Sequence, residues 1–126
     1  MRQLLDTHSF IWFVTGSPRI TPEIRLQIEN NDNLLSIASV WEIAIKSSLG
    51  KLDVGLPIEA LVEQQIIGNA IELLAITTNH LTVVATLPLH HRDPFDRLLI
   101  AQAMVENLPI IGIDKVFDEY AVQRLW

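Results

Sequence analysis

Short apolar runs alternate along this chain with longer stretches of helical period. Arg2 to Asp6 predicts a buried strand, and Leu34 to Ile37, Ile71 to Ile76 and Ile110 to Ile113 predict three more. A short helix is expected from His8 to Thr15, ended by Gly16-Ser17-Pro18. Thr21 is a good N-cap and Pro22 suits the first helical position, so a second helix starts there. Its apolar spacing is carried by Ile24 and Ile28, and Asn30-Asn31-Asp32-Asn33 ends it. Ser39 reads as the cap of a helix from Val40 to about Leu49, with Gly50 as its stop. Pro57 to Ile67 predicts a fourth helix and Thr78 to Leu87 a fifth, closed by Pro88. The segment His90-His91-Arg92 reads as a loop, after which Asp93 caps a long helix from Pro94 to Glu106. A short helix over Val116 to Tyr120 and a strand-like Val122 to Trp126 close the chain.

Strands alternating with helices imply a mainly parallel central sheet with right-handed crossovers. Two consecutive helices after the first strand, and again before the third, leave room for a pair that projects from the sheet. The expected architecture is a single α/β domain over residues 1–126, with three layers, α/β/α.

Composition sharpens this picture in four places. Hydrophobic residues make up 49% of the chain, which is high for a lone soluble domain and suggests self-association or a stable partner. No membrane span is expected, since the richest run, Leu98 to Met104, is short and broken by Gln102. The absence of cysteine excludes disulfides and thiolate metal sites, and fits a cytoplasmic protein without a signal peptide. A net charge of −6 argues against a simple nucleic-acid binder. That argument weakens if bound cations offset several of the acids. Lys46, Lys51, Arg92 and Arg97 also lie close in sequence to the acids of interest.

Those acids are Asp6, Glu42, Asp96 and Asp114. Asp6 and Asp114 close apolar strand runs, while Glu42 and Asp96 open helical segments. Ligands of open α/β sheets collect outside the carboxyl ends of the strands. Four acids at that edge form an oxygen-rich pocket that is costly unless protons or a hard cation such as Mg²⁺ or Mn²⁺ fill it. Such a pocket points to metal-assisted phosphoester chemistry. Each acid also has a plainer reading. Asp6, Asp93 and Asp114 can cap the helices that follow them. Ser39-Val40-Trp41-Glu42 matches a capping box, and Glu42 with Lys46 makes an i, i+4 ion pair. Adjacent His90 and His91 lack the helical spacing of zinc ligands and are expected at the pocket rim, near substrate phosphate. No phosphate-cradling glycine loop and no nucleophile elbow is present.

Four segments carry a further signal: Leu4-Leu5-Asp6-Thr7-His8, Ser39-Val40-Trp41-Glu42-Ile43, the run from His91 to Ala103, and Ile113-Asp114-Lys115 with Phe117. In this order and spacing the chain resembles the PIN-domain family, and more narrowly the VapC-type toxins of bacterial toxin–antitoxin pairs. The resemblance implies a metal-dependent endoribonuclease, the toxin component of a type II pair, using one or two Mg²⁺ or Mn²⁺ ions. Carried over by position, Asp6, Glu42, Asp96 and Asp114 match the principal catalytic and metal-binding acids, with Asp93 as a secondary ligand. One departure is Gly112, where the family often has threonine or serine. The implied reaction is hydrolysis of an RNA phosphodiester by activated water, oriented or deprotonated by Asp96 or Asp114. Lys46, Arg92 and Arg97 are expected to neutralise the substrate backbone, with a surface or interface role as the alternative for Arg97. The expected partners are RNA, a small cognate antitoxin and a second copy of the chain. Trp12, Trp41 and Trp126 are candidates for the partner surface, with core packing favoured for at least two.

Two rival readings stand beside this one. A covalent aspartyl phosphate on Asp6 would suit a strand-end acid, although His8 replaces the usual second aspartate. A binding module with a purely structural acid pocket would use the apolar surface alone.

Overall fold

The computed structural model describes residues 1–126, the whole chain. Five strands form one sheet: β1 (Arg2–Leu5), β2 (Asp32–Ser36), β3 (Glu72–Leu74), β4 (Ile110–Ile111) and β5 (Arg124–Leu125). Their spatial order is β3-β2-β1-β4-β5, and every pairing is parallel. The expected parallel sheet is therefore present, with β1 at its centre and the chain reversing its direction of travel between β1 and β4. That reversal is the switch point at which open sheets leave a crevice.

Successive strand residues face opposite sides, and the register exploits this. Leu4 pairs with Leu34 and Ile110, and all three enter one core with Leu99, Ile100 and Phe117. Leu5 pairs with Leu35 and Ile111, and these enter the other core with Phe10, Ile28 and Ile43. A one-residue slip in β1 would send Leu4 and Leu5 each to the opposite core and undo this matching.

Helices cover both faces. On the Leu5 side lie α1 (Thr7–Val14), α2 (Pro22–Glu29) and α3 (Ile37–Ser48). With them is α4 (Ile58–Ala60), which runs on through a π turn (Leu61–Ile66) and a 3₁₀ turn (Ile67–Asn69). The Leu4 side is covered by α5 (Thr78–Thr86) and α6 (Pro94–Glu106). This is the three-layer α/β/α arrangement expected from the sequence. The predicted helix from Pro57 to Ile67 is present but underwound in its π turn and then overwound in its 3₁₀ turn, ending at Ala70 in the left-handed region (φ 56°).

One cap differs from the sequence reading. The N-cap of α3 is Ser36, whose hydroxyl accepts from the Ala38 amide at 3.1 Å. Ser39 lies a turn further in, fully buried, where its Oγ receives the Thr7 hydroxyl at 2.8 Å. The Ser39–Glu42 capping box therefore does not form. Ser36 wins because it is the last residue of β2 and already has the extended backbone (φ −65°, ψ 141°) that a cap needs. The expected strand at Leu34–Ile37 correspondingly starts and stops earlier. Trp12 and Trp126 pack edge to face, 5.8 Å between centroids, against the Leu5-side core. Trp41 is 58% exposed.

Candidate functional site

Asp6 follows directly on β1 and Asp114 follows β4, the two strands that flank the switch point. Both are caps. Asp6 Oδ1 accepts from the Ser9 amide at 2.8 Å, at the start of α1. Asp114 Oδ1 accepts from the Val116 amide at 2.9 Å, opening a 3₁₀ turn (Lys115–Glu119). Asp93 Oδ1 accepts from the amides of Phe95 and Asp96 at 2.8 and 3.3 Å, capping α6. A carboxylate has two oxygens, and in each of the three only Oδ1 serves the cap. The capping and ligand readings are thus compatible in the same residue.

Asp6 Oδ2 faces Gly112. A Cβ at position 112 would lie 2.7 Å from that oxygen and 3.0 Å from the Phe117 ring. No side chain fits there without displacing the Asp6 carboxylate or Phe117, so the Asp6 oxygen occupies the space that a threonine or serine would need. Arg124 donates to the Gly112 carbonyl at 3.2 Å and holds this turn from below.

Glu42 is buried in the second turn of α3, and its Oε2 accepts from Lys46 Nζ at 2.7 Å. That bond raises the Lys46 pKa, with Glu42, Asp93 and Asp96 adding their charge. A cavity of about 180 Å³ adjoins this pair, lined by Thr7, His8, Glu42, Lys46 and Lys51 among others. A larger cavity of about 280 Å³ lies around Asn31, Asp32 and Asn33, at the opposite end of β2, and gathers no comparable set of charges.

Asp96 sits in the first turn of α6, with its side chain 24% exposed. Burial, then the charge of Asp93, pushes its pKa up to about 7, and Asp6 and Glu42 contribute in the same direction. Burial likewise raises Asp6, with Asp114 adding a smaller push. Carboxylates raised first by burial and then by one another's charge mark a place where acids have been gathered out of reach of water.

The tightest cluster includes a residue that the sequence placed only at the rim. His91 Nε2 is 3.0 Å from Asp96 Oδ2 and 3.0 Å from Asp114 Oδ2. His91, Asp96 and Asp114 each present one ligand atom within 4.8 Å of the others. Asp6 and Glu42 stand outside this trio but close enough to perturb Asp96. His90 is exposed, and its ring meets Tyr120 at 5.2 Å. Arg92 is exposed. The Arg97 guanidinium is turned away from the acids and donates to the carbonyls of Val84, Leu87, Pro88 and His91 at 3.0–3.4 Å.

The donor set suits a hard divalent cation. Carboxylate oxygens are the ligands such ions prefer, Asp6 and Asp114 each keep an oxygen free of capping, and the raised acids gain most from a positive charge. No helix of the structure is long and apolar enough to cross a membrane.

The PIN domain family model matches residues 4–123 of the chain. Among solved structures, the fold is similar to the crystal structure of VapBC2 from Rickettsia felis bound to a DNA fragment from their promoter. That match has a TM-score of 0.73 at 14% identity and covers 99% of this chain and 98% of that one. No curated protein matches the sequence.

Proposed function

From the premise that the chain belongs to the PIN domain family, we propose that it is a metal-dependent endoribonuclease, the toxin of a type II toxin–antitoxin pair. The observation that carries this reading is the meeting of capping aspartates and helix-borne acids at one end of β1 and β4.

Asp6, Glu42, Asp96 and Asp114 would hold one or two Mg²⁺ or Mn²⁺ ions, with Asp93 as a secondary ligand. When bound, such an ion makes water more acidic and stabilises charge on phosphate oxygens. The chain's own residues do the rest. Asp96 or Asp114 orients the attacking water and receives its proton. Water oxygen bonds to phosphorus as the bond to the leaving ribose oxygen breaks, and that oxygen takes a proton from solvent water to leave as a hydroxyl. Lys46, already in the acid site through Glu42, and exposed Arg92 are assigned to the RNA backbone. Arg97 is assigned to the loop that it clamps. Lys51 extends the cationic wall of the adjoining cavity, which His8 also lines.

A protein partner is proposed on separate grounds. Trp41, Leu49, Ile67 and Leu89 are each more than half exposed, apolar side chains that a second copy or a small antitoxin would cover. The structural similarity to a VapBC assembly supports the same pairing. A cytoplasmic location follows from that role.

The test is incubation of partner-free protein with total cellular RNA and Mn²⁺ or Mg²⁺, beside Asp6→Asn, Asp96→Asn and EDTA controls. Discrete cleavage that needs the metal and both acids is the expected result. Folded, metal-bound protein that cuts no RNA would instead favour a binding module with a structural acid pocket.

A further inference from the structure

We infer that His91 is a positioning residue of the acid site, whose ring bridges Asp96 and Asp114 as a hydrogen-bond donor and sets their separation without itself binding the metal. The inference rests on the metal-site reading above.

The contact distances alone leave two chemistries open. Two bonds of 3.0 Å from one ring nitrogen to two carboxylate oxygens fit a shared N–H. They also fit neighbouring ligands on one small cation, since bonds of about 2.1 Å at right angles put ligand atoms about 3 Å apart. The other ring nitrogen decides between them. His91 Nδ1 accepts the Asp93 backbone N–H at 3.2 Å, so its lone pair is in use and it carries no proton. A neutral imidazole has a single N–H, which must then be on Nε2, facing the two acids. A protonated ring nitrogen has no lone pair to offer a cation. Each carboxylate oxygen has a further lone pair, so accepting from His91 leaves both able to bind an ion.

The loop around His91 is built to hold the ring in place. The Tyr120 hydroxyl accepts the amides of His90 and His91 at 2.9 and 2.7 Å and donates to the Pro88 carbonyl at 2.7 Å. Arg97 ties the same loop to the end of α5 through four carbonyls. The ring lies 6.1 Å from Phe117, which is fully buried. A loop that serves only as a connection has no need of so many bonds. Asp114 gains most from the bridge: its side chain is 40% exposed and otherwise held only by its cap. Outer hydrogen bonds of this kind orient metal-binding groups and tune affinity.

The experiment uses the full chain labelled with ¹⁵N-histidine. In metal-free protein, long-range ¹H–¹⁵N spectra should show His91 protonated at Nε2 and free of hydrogen at Nδ1. Mn²⁺ binding by calorimetry should weaken by about 10–100-fold in His91→Ala. His91→Gln, which keeps a donor at similar reach, should recover most of that loss and covers the case in which the alanine variant fails to fold. Pulsed EPR of the Mn²⁺ complex should lack coupling from a directly bonded histidine nitrogen. A proton on Nδ1, a directly bonded nitrogen, or an unchanged Mn²⁺ affinity in folded His91→Ala would each overturn the inference. Wild-type protein that binds Mn²⁺ through acids held this way but cuts no RNA would defeat the nuclease reading and support this one.

Discussion

His80 and His91 share one local device and differ in everything beyond it. Each uses Nδ1 to accept a backbone amide near a helix start: Thr77 N–H at 3.0 Å for His80 and Asp93 N–H at 3.2 Å for His91. Each then points Nε2 toward carboxylate. His80 is completely buried between α5 and α6, and its Nε2 has no hydrogen-bond partner, with Glu106 3.9 Å away. His91 meets two acids at 3.0 Å at the carboxyl end of the sheet. The same residue type with the same backbone bond is packing in one place and part of a polar site in the other. Position against the switch point of the sheet makes the distinction.

The comparison breaks most sharply through substitution of the acids. Asp96→Asn or Asp6→Asn should lower RNA cleavage by at least about 10³-fold, with circular dichroism unchanged. Retained cleavage in either variant would put the chemistry elsewhere. His80→Ala should do the reverse, costing about 2–4 kcal/mol in urea unfolding through the cavity left between α5 and α6. Its cleavage rate per folded molecule should stay within about twofold of wild type.

A pH series sharpens the electrostatic side. Asp96 titrates at about 7 when folded but at 3.8 as a free side chain. Between these values the unfolded chain has lost a proton that the folded chain keeps, so metal-free stability should fall as pH rises from about 4 to about 7 and level off above. With partial solvent screening the loss should be on the order of 1–2 kcal/mol. Asp96→Asn should lessen that dependence in chelator-treated urea melts, leaving the part of the same sign that buried Asp6 contributes, and a wild-type curve already flat would deny the buried charge. The smallest effect is expected at Gly112. Gly112→Ala must displace the Asp6 carboxylate, and cleavage should drop by up to about tenfold with little change in melting temperature.

Much of this was legible in the sequence because it depends on local chemistry. Strand runs such as Gln3-Leu4-Leu5, the Thr21-Pro22 helix start and the Asp93-Pro94 start act within a few residues, and all three appear as read. The cap of α3 was misplaced because Ser36 and Ser39 are both plausible caps. Only the pairing of Ser36 with Leu74 across the sheet identifies it as the end of the strand. Trp41 and Trp126 were equivalent on composition, whereas the path of the chain exposes one and packs the other. The place of His91 was hidden for the same reason: its loop is held by Tyr120, 29 residues away, and no spacing rule spans that distance.

The Arg97 and Tyr120 clamp has a consequence for how this chain can vary. Within His91-Arg92-Asp93-Pro94-Phe95-Asp96-Arg97, one residue bridges the acids and one caps α6. Another packs against Trp41 with centroids 5.1 Å apart, and the last ties the loop back to α5. These residues succeed or fail as a unit. Natural relatives should therefore lose His91, Arg97 and the Tyr120 hydroxyl together rather than one at a time, and a transplant of the acids into another scaffold would need the clamp as well.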